Sequence, residues 1–167
     1  MTQPKDRPAA LESLSKFSFG ATSAITTSLA LIVGLDSASN PRMSIIGALL
    51  VLAVADNISD SLGIHVYRES QCKAASSDTG IHSISNFLTR LAVTLLFALI
   101  VLLLPLPYAI ASSLILGLLL LSILSYLIAL YQKTNPWISI CHHIGVAIIV
   151  LIASHLLGKA IAGMFAA

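Results

Sequence analysis

Charge is scarce in this chain. Only 10% of its 167 residues are Asp, Glu, Lys or Arg, against about 25% in ordinary soluble domains. A water-soluble globular protein or a charged disordered tail is thereby excluded. Nine basic and seven acidic residues give a net charge of +2, and no basic run is interleaved with aromatics, so no nucleic-acid surface is expected. Cysteine is almost absent. Cys72 and Cys141 stand alone without CxxC spacing, which excludes a disulfide framework and a thiolate zinc site. No HExxH, P-loop, nucleophile elbow or dinucleotide fingerprint occurs, so an enzyme is not expected and neither is a resident cofactor. A cleavable signal is missing too: residues 1–16 are polar with no apolar core behind their charges, and the first hydrophobic stretch is expected to act as an uncleaved insertion signal.

Apolar residues are what the chain has in abundance. They make up 57% of it, and the mean hydropathy is +0.94, more than a single soluble core of this length can bury. The reading is an all-α integral membrane protein with five transmembrane helices, spanning about 17–35, 43–67, 84–104, 108–131 and 138–165, each long enough for a hydrocarbon core of about 30 Å. Asn40-Pro41, Pro105-Leu106-Pro107 and Asn135-Pro136 punctuate the spans, since proline cannot continue a helix from within. Residues 1–16 read equally as an interfacial helix over 9–16 or a frayed tail. The fourth span, nearly all Leu, Ile, Ala and Ser, reads as lipid-facing scaffold with Tyr108, Tyr126 and Tyr131 as interfacial anchors. Placing the N-terminus in the cytoplasm puts Lys5, Arg7, Lys16, Arg68, Lys73, Arg90 and Lys133 on that side and leaves Arg42 and Lys159 opposite. This bias predicts N-terminus in, C-terminus out, in an inner or plasma membrane.

Against that background the second span is anomalous. Ile45 to Ala55 is purely small and apolar, yet Asp56, Asn57, Ser59 and Asp60 follow with nothing to end the helix. Asp56 and Asp60 lie four apart on one helical face. Ionisable groups at membrane depth are costly, so they face a bundle interior or a wet cavity and mark a pathway. Counted from the cytoplasmic end, Asp60 lies about 10 Å deep, Asp56 about 16 Å, Ser23 about 9 Å, and His142 and His143 within about 8 Å. Ser23, Asp60 and one of the paired histidines are therefore expected to meet. Such a set suits a divalent cation such as Mn²⁺ or Fe²⁺, or a proton relay, and spacing does not choose between them. The expected metal-contacting residues are Asp56, Asp60, Asn57, Ser23 and His142. The alternative for the aspartates is hydrogen-bonded helix packing without an ion, and for Asn57, Ser59 and Ser23 interhelical hydrogen bonding is the simpler role. His155 reads as a packed histidine, and headgroup-level histidines are commonly only solvated.

The order of motifs resembles the vacuolar iron transporter family. Gly20-Ala21-Thr22-Ser23-Ala24 stands where that family has Gly-Ala-Asn-Asp-Gly, and Ser28-Leu29-Ala30-Leu31-Ile32-Val33-Gly34 follows like its small-apolar run. Ala53-Val54-Ala55-Asp56-Asn57-Ile58-Ser59 is similar to Ala-Ala-Gly-Glu-Tyr-hydrophobe-Ser on the family's second helix. Leu99 to Pro105 and Gly145 to Gly158 resemble its third and fifth helices. The resemblance implies proton-coupled export of iron- or manganese-type cations from the cytosol, the metal and protons being substrates. It also implies a homodimer packed through the first helix, for which Gly20, Ala24 and Ser28 offer a close-approach face. The chain departs from the pattern where the family's first-helix Asp is Ser23, where a Met is Leu52, and where a Glu-rich loop is reduced to Glu69 and Asp78. Asp56 stands for the family's Glu, and Asp60 is expected to supply the carboxylate the first helix lacks. A membrane scaffold or interaction subunit that keeps the fold without transporting is the alternative function.

Overall fold

The computed structural model describes residues 9–70 and 77–165. The tail before residue 9, Cys72, Lys73 and the side chains of His65, Arg68, Glu69, Asp78 and His82 lie outside the described residues. Helices α1 (Ala9–Gly34), α2 (Pro41–Val51), α3 (Asn57–Ser70), α4 (Ser77–Leu103), α5 (Leu106–Gln132) and α6 (Pro136–Phe165) follow in order, with a π-helical turn over Leu52–Asp56 between α2 and α3. No strand occurs among the described residues.

The helix starts obey local chemistry. Pro41 opens α2 behind Asn40, Pro105 in an extended conformation precedes α5, and Pro136 opens α6; proline costs nothing at a first turn, where its missing N–H has no partner to lose. α5 ends at Lys133, whose left-handed φ of 55° lets its N–H turn back on Ala129 and Leu130 carbonyls. Arg42 donates through Nη2 to the Leu102 carbonyl, so the start of α2 caps the end of α4. The polar segment read as a loop over 68–83 is partly helix, because α3 continues to Ser70 and α4 begins at Ser77. Residues 9–16 are helical and continuous with the first span.

Among the described residues four helical stretches are long and apolar enough to cross a membrane: Pro41–Gly63, Asn86–Leu103, Leu106–Gln132 and Pro136–Phe165. The described apolar part of α1, Gly20–Gly34, is shorter. α1 is instead the centre of the bundle. It packs against α4, α5 and α6, while α2 and α3 lie on α4. Ala21, Ala24, Ile25, Leu29 and Ile32 of α1 are fully buried, joined by Ile45, Leu49, Phe97, Val101 and Leu121. At the other extreme α6 buries Ala147 and exposes Ile149, Leu156, Leu157 and Ile161, the surface a helix presents to lipid.

Two expectations change here. Gly20, Ala24 and Ser28, expected to face a second copy, are buried inside the chain. A Cβ on Gly20 would run into the Asn86 side chain of α4, so the close approach those small residues permit is used within the bundle. And α5 is not simply lipid-facing: Ala109, Ser113, Gly117, Leu121, Ser125 and Ala129, four residues apart, form a buried stripe. Its small residues admit neighbours closely, and a Cβ on Gly117 would lie 2.6 Å from Leu29 Cδ1.

Candidate functional site: an arginine between two aspartates

The contacts of Gly20 with Asn86 and of Ser23 with Arg90 set α1 and α4 side by side in parallel. On α4, Asn86, Arg90 and Thr94 recur every four residues and are all buried, which puts them on one face along the seam. The side chain of Arg90 is only 2% exposed. A guanidinium cannot shed its charge, so at this depth it must be surrounded by acceptors.

The fold supplies them from two helices. Arg90 Nε donates to Asn57 Oδ1 at 2.9 Å, Nη1 to Ser23 Oγ at 2.7 Å, and Nη2 to Asp56 Oδ2. Nη1 also pairs with Asp60 Oδ2 at 2.6 Å. Ser23, Asp56, Asn57 and Asp60 thus converge on one cation from α4 that spacing alone did not pair with them. Ser23 and Asp60 meet the same Arg90 nitrogen.

The π turn helps to make this convergence possible. One residue more per turn advances the helix phase, and the turn ends at Asp56. Asn57, 1% exposed, links turn and cluster: its Nδ2 donates to the Ala53 carbonyl at 2.8 Å while its Oδ1 receives Arg90. The two aspartates differ from their partners in being open, with side chains 39% and 37% exposed. Their contacts with Arg90 run through Oδ2. Two carboxylates and one guanidinium leave a formal charge of −1. The cluster is closed on the Arg90 side and open on the carboxylate side.

An open groove of about 600 Å³ lies against this open side, lined by Leu31 of α1, Gly47, Ala48 and Val51 of α2, and Leu52, Ala55 and Asp56 of the π turn. A second groove of about 410 Å³ runs between α1 and α6 and shares Leu31 and Leu52 with the first.

His142 is elsewhere. It is exposed near the start of α6, edge-on to His143 with ring centroids 5.7 Å apart, and α6 packs mainly on α1 and α5. His143 Nδ1 lies 3.0 Å from Ser125 Oγ. Ser125 Oγ also donates to the Leu121 carbonyl, 2.7 Å away. Among the described residues no group of three or more His, Cys, Asp or Glu side chains gathers as a metal site.

Arg90 is the residue that sequence reasoning placed differently, as one positive charge among several on the cytoplasmic side. A signal was available. About six residues into its span, near 9 Å deep, it matches the depth of Asp60, and a lone membrane arginine seeks carboxylates. No family model, curated protein or solved structure matches the chain.

Proposed function

We propose that this chain is a proton-coupled cation transporter of an inner or plasma membrane, with five spans (α1, the continuous α2–π turn–α3 helix, α4, α5 and α6) and the N-terminus cytoplasmic. Asp56 and Asp60 form the exchange site. The observation that carries the reading is the one-sided cluster: Arg90 is buried, while the carboxylates it holds are more than a third exposed and together carry one negative charge in excess. A carboxylate kept at membrane depth with an open side is a place for a proton or a cation to stop.

In this scheme Arg90 is the resident counter-ion. It holds both carboxylates between passages, so the empty site carries a single excess charge instead of two. A proton or a cation arriving at the open side takes up that excess charge, and each displaces the other. Iron- and manganese-type ions are the cargo that the resemblance to vacuolar iron transporters implies. A divalent ion bound by both aspartates competes with Arg90 for the same oxygens, so its passage involves movement of the guanidinium. His142, which is exposed and does not gather with Asp56 and Asp60, fits better as a residue of the aqueous approach than as a ligand.

Purified protein in proteoliposomes tests this, with an internal pH dye and a panel of Fe²⁺, Mn²⁺, Co²⁺ and Zn²⁺. Cation-dependent proton movement that Asp60→Asn abolishes, in a variant that still folds, is the expected result. No flux with any cation from wild-type protein favours the second reading, a non-transporting scaffold. One observation favours that alternative: Arg90 finds partners on both α1 and the π turn–α3 segment, the bonding of a structural clamp.

A further inference from the structure

The groove beside Asp56 has a chemical character of its own. Its volume, about 600 Å³, is in the range of small-molecule sites, about 300–1,000 Å³. Six of its seven lining residues are Leu31, Gly47, Ala48, Val51, Leu52 and Ala55, and the seventh is Asp56. Three properties of that one polar residue matter. Its side chain is 39% exposed, its ion pair with Arg90 uses Oδ2, and the cluster it belongs to has a formal charge of −1.

We infer that this groove binds a monovalent organic cation with an apolar body, its charge set against Asp56. The inference rests on the cation-exchanging role proposed for the same centre and adds an organic class of cation, held in the groove, to the inorganic cargo held by the cluster. Each competing class fails on a feature of the wall. An anion meets a net negative site, and a neutral apolar molecule leaves the excess charge without a partner. A bare inorganic cation needs several oxygen donors in place of its water and so belongs between Asp56 and Asp60 in the cluster, whereas the groove wall has Asp56 as its one acidic residue among aliphatic ones. An organic cation brings its own apolar surface to Val51, Leu31 and Leu52, and one positive charge equal to the excess. Leu52 to Asp56 in the wall is the π turn, a helical irregularity that recurs at functional sites.

Gly47 provides a probe that leaves the cluster alone. A Cβ there meets nothing within 4 Å, so a side chain fits without moving the backbone, and because Gly47 lines the groove a large one fills it.

The experiment is equilibrium binding of radiolabelled tetraphenylphosphonium to the full chain in lipid nanodiscs, with neutral triphenylphosphine oxide as competitor. The expected result is saturable binding that Asp56→Asn and Gly47→Phe each weaken at least tenfold and that the neutral compound does not displace. Asp60→Asn, which removes the excess charge without touching the groove wall, is expected to weaken binding as well. Binding unchanged in both Asp56→Asn and Gly47→Phe overturns the inference, as does equal competition by the neutral compound, which marks a mere apolar cleft. Failure here and failure of the transport reading are separable: metal-coupled proton flux without phosphonium binding overturns only the inference, and phosphonium binding without any flux supports it while removing transport.

Discussion

Replacing Arg90 by Met keeps a long, flexible side chain in the α1–α4 seam and removes its charge. Four contacts disappear with it, those to Ser23, Asn57, Asp56 and Asp60. Interhelical polar contacts in membranes average about 0.6 kcal/mol each, which sets a floor of about 2 kcal/mol for the loss. The variant also leaves two carboxylates without their counter-ion. Breaking a buried ion pair from one side costs about 3–5 kcal/mol in soluble proteins, but here the aspartates are 39% and 37% exposed, and solvent screening moves the value toward the lower end. The expected destabilisation is about 3 kcal/mol, read from reversible unfolding in mixed detergent micelles by circular dichroism. Arg90→Lys restores part of it, because an ammonium supplies charge but cannot span Asn57 on one side and both aspartates on the other. The triple variant Arg90→Met, Asp56→Asn, Asp60→Asn returns to within about 1 kcal/mol of wild type, since removing the whole ionic group removes its desolvation cost as well. A single Arg90→Met change of less than about 0.5 kcal/mol, the range of an ordinary surface substitution, refutes the clamp.

Two further substitutions test how the helices are held. A Cβ on Gly158 would collide with the Gly34 carbonyl, and backbone cannot yield; Gly158→Ala is therefore expected to separate α1 from α6 and cost about 1–3 kcal/mol or more. Gly163→Ala on the same helix, where a Cβ meets nothing within 4 Å, is expected to be neutral in the same unfolding assay. Arg42→Met removes the donor on the Leu102 carbonyl, and a loss of about 0.3–1 kcal/mol is expected from a cation at a helix C-terminus, with faster amide exchange confined to the last turn of α4.

Much of the architecture was legible because it follows from local rules. Runs of apolar residues long enough for a bilayer, cut by Pro41, Pro105 and Pro136, place α2, α3, α5 and α6 within a few residues of where they form, whereas α1 and α4 begin about two turns before the expected spans. There the polar residues neither forbid nor demand helix, and continuation of an existing helix wins over a fresh nucleation. Similarly, the four-residue spacing of Asp56 and Asp60 put them on one face, and both do reach the same group.

That group itself was decided by the tertiary structure. The sequence by itself determined that the chain is all-helical, that it carries a rare pair of carboxylates in an apolar span, and that Ser23 lies at their level. It left Arg90 as one more basic residue, because which helices neighbour one another depends on packing between distant segments: Gly20 admits Asn86 and so sets α1 against α4, and α2 and α3 then pack on α4 as well. The same arrangement buries Gly20, Ala24 and Ser28 inside the bundle and sets His142 on α6, away from the cluster. Periodicity is a property of one helix and can be read along it. A charge buried between helices finds its partner only when they meet.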